Sequence, residues 1–109
     1  MFDHLIYLFE IIENAIIYSH RGSKVEVATT LREKEILIEI TDIGFGIIED
    51  EQPVIFTKFF RGSNRGSGNA GGGLGLYIAK AYITILGGKI WFNSEEGKGT
   101  TFYVSLPIG

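Results

Sequence analysis

Between Gly62 and Leu76 seven of fifteen residues are glycine, and no element of a packed core can run through a stretch with so few side chains to bury. An apolar helical pattern begins where the stretch ends. Two readings fit it. Gly/Ser-rich sequence makes flexible linkers, whereas exposed backbone N–H groups leading into a helix N-terminus suit an oxyanion such as phosphate. Composition alone carries both, so the flanking segments have to decide.

The chain has 109 residues, the size of one domain with a modest single core. Its 45% hydrophobic content argues for a folded globule. A net charge of −3 argues against a general nucleic-acid surface. Without cysteine there is no disulfide framework, thiolate metal site or thiol nucleophile. Only His4 and His20 are available for a histidine-rich metal site. No apolar run is long enough to span a bilayer and no signal-peptide layout opens the chain. A cytoplasmic domain without direct membrane contact is expected. The chain starts almost inside a helical pattern, which reads as a piece of something longer.

From Asp3 to Tyr18, Leu5, Ile6, Leu8, Phe9, Ile12, Ala15 and Ile16 fall at helical spacing. Asp3 suits the N-cap and Gly22 the C-terminal cap. Glu10 and Asn14 are four apart and share a face; one of them sits near the buried rim, unless the polar residues form a solvated stripe. Residues 24–30 and 36–42 alternate and read as a hairpin across the charged turn at Arg32–Glu35. Parity puts Asp42 on the same face as Ile36, Ile38 and Ile40, and a carboxylate there must be satisfied by donors. A buried cap on the next turn would explain it. So would a ligand, and Gly44 and Gly46 open space in which a planar ligand can approach the backbone.

Residues 50–60 form a short apolar-charged segment, with a helical turn or two expected after Pro53 and with Ile55, Phe56, Phe59 and Phe60 as its apolar members. Lys58, Arg61 and Arg65 give local positive charge, which suits an anionic ligand or an ordinary surface. The second helix is expected over 74–86, with Ile78, Ala81, Tyr82 and Ile85 on its apolar stripe and Gly87–Gly88 ending it. Strands follow over 89–93 and 100–106, joined by Ser94 to Gly99. In the last, Thr100 shares the inward face of Phe102, Val104 and Leu106. The sum is an α+β, two-layer sandwich, a mixed, mostly antiparallel sheet with helices on one face. A literal G-x-G-x-x-G at Gly66, Gly68 and Gly71 does not follow a strand, and no P-loop pattern exists.

Taken in order, five motifs resemble one family. They are Glu10-Ile-Ile-Glu-Asn14-Ala-Ile-Ile-Tyr18-Ser, Asp42-Ile-Gly44-Phe-Gly46-Ile47, Ile55-Phe56-Thr-Lys-Phe59-Phe60-Arg61, Gly71-Gly-Gly73-Leu74-Gly75-Leu76 and Gly97-Lys-Gly99-Thr100-Thr-Phe102. They are similar to the N, G1, F and G2 boxes and closing strand of the sensor histidine kinase catalytic and ATP-binding domain, of the Bergerat-type ATPase superfamily. The similarity covers essentially all of residues 1–109.

That resemblance implies a Bergerat ATP-binding fold, here without the usual first strand, with ATP and Mg²⁺ as cofactors. Asn14 would coordinate Mg²⁺ through its side-chain oxygen. Asp42 would accept a hydrogen bond from the adenine amino group, with Gly44, Gly46, Ile47 and Thr100 completing the base pocket and Tyr18, Ile55 and Phe56 walling it. Residues 57–71 would be the ATP lid, with Arg61 near the phosphates. Gly71, Gly73, Leu74, Gly75 and Leu76 would bring backbone N–H groups around the phosphates. The γ-phosphoryl group would pass to a histidine of a separate dimerisation domain, with a response regulator downstream.

The sequence departs from the family pattern in places. Glu10 stands where members often carry Asn, Ile17 where they carry Lys, and Ile43 where the G1 box usually has Asn. Losing the lysine removes a phosphate contact. Glu10 resembles the general base of the superfamily's hydrolytic and serine-kinase branches, which keeps an ATPase or serine kinase as one alternative; polar filler is the other reading of Glu10. A non-catalytic interaction module is the remaining alternative. The phosphoacceptor domain is absent, and His4 lies in the wrong motif to replace it.

Overall fold

The structure, a computed structural model, describes residues 25–43, 46–57 and 75–108. The expected helix over Asp3 to Tyr18 and the greater part of the glycine-rich stretch lie outside the described residues. The elements in order are strand β1 (Val25–Leu31), strand β2 (Glu35–Asp42), a 3₁₀ turn (Glu49–Val54), helix α1 (Gly75–Ile85), strand β3 (Lys89–Glu95) and strand β4 (Gly99–Pro107). The described part is thus α+β, with a helix on one face of a sheet.

The four strands lie in the order β1-β2-β4-β3 and every neighbouring pair is antiparallel. Two hairpins, β1–β2 and β3–β4, are joined through the long central β2–β4 pair. The period-2 alternation read from the sequence holds. Ile36, Ile38 and Ile40 of β2 stand opposite Leu106, Val104 and Phe102 of β4, and all but half-buried Ile36 are buried against Ala79 and Ile83 of α1. Fully burying each of the large residues contributes roughly 1.5–3 kcal/mol, so this shared face is the main apolar contribution among the described residues. On the opposite face Trp91 and Tyr103, cross-strand partners, stack with ring centroids 5.4 Å apart.

Helix α1 buries a different stripe from the expected one. Ala79 and Ile83 are fully enclosed, with Leu76, Tyr82 and Leu86 packed beside them, while Ile78 is 46% and Ile85 80% exposed and Ala81 also faces out. Of the four residues expected on the apolar stripe only Tyr82 is on the core side. The helix is apolar nearly all round, so its period allows several faces, and the turn that follows selects one. Gly87 takes φ 84°, Gly88 N–H bonds to the Ile83 carbonyl at 2.9 Å and Gly87 N–H to that of Thr84 at 3.0 Å, a Schellman cap. A side chain at Gly88 would strike the Ser105 carbonyl, Leu106 and Ile83, so the cap is pressed onto β4 and fixes which residues point inward.

The segment around Pro53 also differs from expectation. Its 3₁₀ helix, two turns long, includes Pro53 rather than following it. Glu49, Asp50 and Glu51 occupy the first turn, where carboxylates favour the positive end, and the fixed φ of proline suits 3₁₀ geometry. The chain then leaves the helix because Thr57 turns back on Val54, donating to its carbonyl from both N–H (3.0 Å) and Oγ (2.6 Å).

Candidate functional site

At one end of the sheet the apolar face gives way to polar residues. The cross-strand register lines up Asp42 of β2, Thr100 of β4 and Ser94 of β3 in a single row. All three continue the inward face of their strands. Asp42 is 1% and Thr100 2% exposed, so a carboxylate and a hydroxyl lie within the protein beside Phe102, where a group of either kind is costly unless it is hydrogen-bonded or paired. This is the placement that parity predicted for both residues.

The loop after Asp42 is clasped onto this row. Ile47 N–H donates to Ser94 Oγ at 2.8 Å. From the 3₁₀ turn, Gln52 Nε2 donates to the carbonyls of Ile47 (3.1 Å) and Ser94 (3.3 Å). Ser94 Oγ in turn lies 2.7 Å from Thr100 Oγ and 3.2 Å from the Gly99 carbonyl. Thr41 and Thr101 share a hydrogen bond of 3.1 Å on the other face of the sheet, pinning the same ends of β2 and β4.

Gly46 was expected to open room for a planar ligand. Its φ is 72°, and the position a Cβ would take is filled by the backbone of Glu95 and Glu96. The glycine therefore lets the loop lie flat on the end of β3. Gly99, with φ 121°, does the same for β4, bringing its backbone against the carbonyl of Asp42 and the Cα of Ile43. Both close approaches shape the cradle around Asp42 from the protein side.

The walls are apolar. Ile47 and Ile55 are buried, and half-buried Phe56 meets Phe92 and Phe102 edge-on at centroid distances of 5.9 and 6.3 Å. Lys80 of α1 places Nζ 5.1 Å from the Phe56 ring centroid. Helix α1 begins at Gly75 with no acidic residue in its first turn, so none of its own first-turn residues offsets its positive end. Outside the clasp, Glu49, Glu95 and Glu96 border a hollow of about 360 Å³ beside Gln52; three carboxylates there disfavour a polyphosphate.

Of the expected site residues, Asp42, Gly46, Ile47, Ile55, Phe56 and Thr100 gather around this end of the sheet, and Gly75 and Leu76 open α1. Glu10, Asn14, Tyr18, Gly44, Arg61, Gly71, Gly73 and Leu74 lie outside the described residues. Ser94 and Gln52 were not singled out by the sequence. Ser94 had a signal, since it extends the alternation of Ile90 and Phe92 by one step, the same parity that exposed Asp42. Gln52 had none, because a glutamine in an acidic surface turn has no period to betray it. Among the described residues no group of three or more His, Asp or Glu could hold a metal ion, and no helix is long and apolar enough to cross a membrane.

Comparison with known proteins agrees with this geometry. The chain is 44% identical over 104 residues to the signal transduction histidine-protein kinase ArlS of Staphylococcus aureus (strain USA300), covering 94% of this chain and 23% of that protein. The same figures hold for ArlS of strain COL. The chain thus spans less than a quarter of the length of these relatives. Its structure matches that of the mycobacterial sensor histidine kinase MprB with a TM-score of 0.72 at 30% identity, over 89% of this chain and 66% of that one. Residues 5–109 match the family profile described as histidine kinase-, DNA gyrase B- and HSP90-like ATPase, and with five ordered motifs, the sheet and the buried Asp42–Thr100 row in agreement, the chain belongs to that family of ATPase domains.

Proposed function

We propose that this chain is the ATP- and Mg²⁺-binding catalytic domain of a two-component sensor histidine kinase, which passes the γ-phosphoryl group of ATP to a histidine on a separate dimerisation domain. The observation that carries the reading is the buried Asp42 beside Thr100 at the end of the central strand pair, in a chain of this family. A carboxylate accepts from the exocyclic amine of adenine and repels the carbonyl that guanine presents there. Ile47, Ile55, Phe56 and Tyr18 enclose the base. The N-terminal end of α1, with Gly71, Gly73, Leu74, Gly75 and Leu76, takes the phosphates. Residues 57–71 form the lid, and Arg61 brings positive charge over the phosphates.

Bound Mg²⁺ would neutralise charge on the phosphate oxygens. Asn14 would supply a side-chain oxygen to it, and phosphate oxygens and water the remaining ligands. Phosphoryl transfer depends mainly on positioning and charge neutralisation, so the domain's task is to hold ATP in line with a histidine it does not itself carry. Glu10, four residues before Asn14, is placed by sequence to polarise that histidine. The partners are then the dimerisation domain and, downstream, a response regulator, in the cytoplasm where ATP is present.

Isothermal titration of the chain with ATP, with and without Mg²⁺, tests the reading. Binding that strengthens with Mg²⁺ is expected, weakened relative to lysine-bearing relatives by Ile17. Absence of any binding heat at millimolar Mg-ATP overturns it.

A further inference from the structure

Gln52 ties together the segments that meet at the end of the sheet, and it does so as a donor. Its side chain is half-buried, and Nε2 donates to the Ile47 carbonyl at 3.1 Å and, more loosely, to the Ser94 carbonyl at 3.3 Å. Both partners are carbonyls, which only accept, so the two bonds use both hydrogens of the amide nitrogen. The Ile47 N–H donates to Ser94 Oγ at 2.8 Å. Ile47, Ser94 and Gln52 thus form a closed ring of three hydrogen bonds. In it both polar backbone groups of Ile47 are tied to one residue of β3, one directly and one through Gln52.

The ring fixes a wall. Asp42 belongs to the β2–β4 ladder, where its partner is Thr100, and is held independently of the loop that follows it. Ile47 stands in that loop, 8% exposed and packed in the same cluster as Ile55. The 3₁₀ helix that carries Gln52 leads directly into Ile55 and Phe56. Gln52 therefore links the Ile47 wall to the segment that supplies the opposite one. A base held firmly between them presents its amine squarely to Asp42, and a hydrogen bond weakens steeply once distance and angle drift. A base with a carbonyl in place of the amine has no such bond to lose.

We propose that Gln52 is a positioning residue for base recognition: by bridging the Ile47 and Ser94 carbonyls it holds the Ile47 wall at the distance from Ile55 and Phe56 at which adenine meets Asp42. The proposal rests on the ATP-binding reading above. It assigns to Gln52 a part of adenine selectivity without contact to the nucleotide.

The test is titration of the full chain and its variants with ADP and with inosine diphosphate, which carries a carbonyl in place of the amine. The two share the diphosphate, so the ratio of their affinities is blind to changes of charge near the phosphates. Wild type is expected to prefer ADP roughly tenfold, the worth of one hydrogen bond to a charged group. Gln52→Met keeps the side-chain length and removes both donors; its preference is expected to fall to roughly threefold or less, through weaker ADP binding, as that bond is lost in part. Gln52→Lys again has hydrogens for both carbonyls, with Glu49, Glu95 and Glu96 bordering the hollow beside it to receive the charge, and is expected to restore the preference. Equal losses for both nucleotides in Gln52→Met make Gln52 merely structural and overturn the proposal, as does unchanged binding of both or a lysine variant that discriminates no better than methionine. If Gln52→Met does not fold at the assay temperature, Gln52→Asn, one methylene shorter than the bridge requires, decides: a preference equal to wild type overturns the proposal. Wild type that binds neither nucleotide, or both alike, overturns the reading of the pocket itself, whereas a wild-type preference that Gln52→Met retains overturns this proposal alone.

Discussion

Replacing Gly46 by alanine isolates the contribution of the clasp between the Asp42 loop and β3. Two penalties combine. The left-handed φ of 72° costs an L-residue roughly 1–2 kcal/mol. The added Cβ would also overlap backbone atoms of Glu95, which no side-chain movement relieves, so the loop has to lift. Lifting it forfeits the Ile47–Ser94 bond and the Gln52–Ile47 bond, at about 1 kcal/mol each. The total is about 3–4 kcal/mol. Gly97 is the matched control. Its φ is 85°, yet nothing lies within 4 Å of where its Cβ would sit, so Gly97→Ala should cost only the backbone penalty of roughly 1–2 kcal/mol. The difference of about 2 kcal/mol corresponds to about 10 °C in Tm for a domain near this size. Thermal melts followed by circular dichroism, with an ADP titration on each variant, read both effects. Gly46→Ala should melt lower and bind ADP poorly, while Gly97→Ala retains binding. Equal melting temperatures, or Gly97→Ala as the weaker variant, would refute the reasoning.

Two further outcomes are expected. Asp42→Asn keeps the volume but exchanges an acceptor-only carboxylate for an amide that can also donate, so ATP affinity should drop roughly tenfold or more while GTP binding is unchanged or improved; competition titrations with both nucleotides measure the ratio, and an undiminished preference for ATP would remove Asp42 from the base pocket. Along α1, Ile83→Ala should cost about 2–5 kcal/mol in urea unfolding, whereas Ile85→Ala, two residues away and 80% exposed, should stay within about 0.5 kcal/mol; comparable losses at the two sites would mean that the helix buries a broader face.

Strand parity is the most legible feature of this sequence. An alternating run commits every second residue to one face, so the inward direction of Asp42 and Thr100 could be read before their partners were known, and the register then sets them directly opposite each other. Helix parity was not legible for α1, because Leu76, Ile78, Ala79, Tyr82, Ile83 and Ile85 offer more apolar positions than one face can bury. The choice is made by Gly88 against Ser105 and Leu106, a contact between segments that no local period encodes. Ser94 was hidden for another reason. The polar run Ser94–Gly99 reads as one connector, but only Glu96, Gly97 and Lys98 turn, and the strands on both sides extend further. The hairpin's length depends on Gly97 and Gly99 adopting positive φ, which composition suggests without saying how many residues the turn consumes.

The hydrogen bond between Thr41 and Thr101 closes a loop of sixty residues, and the Asp42–Thr100 pair lies next to it in the same ladder. The cradle is therefore non-local by construction. Each hairpin can form from neighbouring residues, yet neither contains the proposed base pocket until the two have zipped together along β2 and β4, the step with the largest loop-closure entropy. A nucleotide then has no affinity for half-assembled chains and acts on the last long-range event of folding. Its binding free energy should appear as slower global unfolding, rather than as earlier hairpin formation. The same junction makes nucleotide capture a report that both halves of the domain are in register.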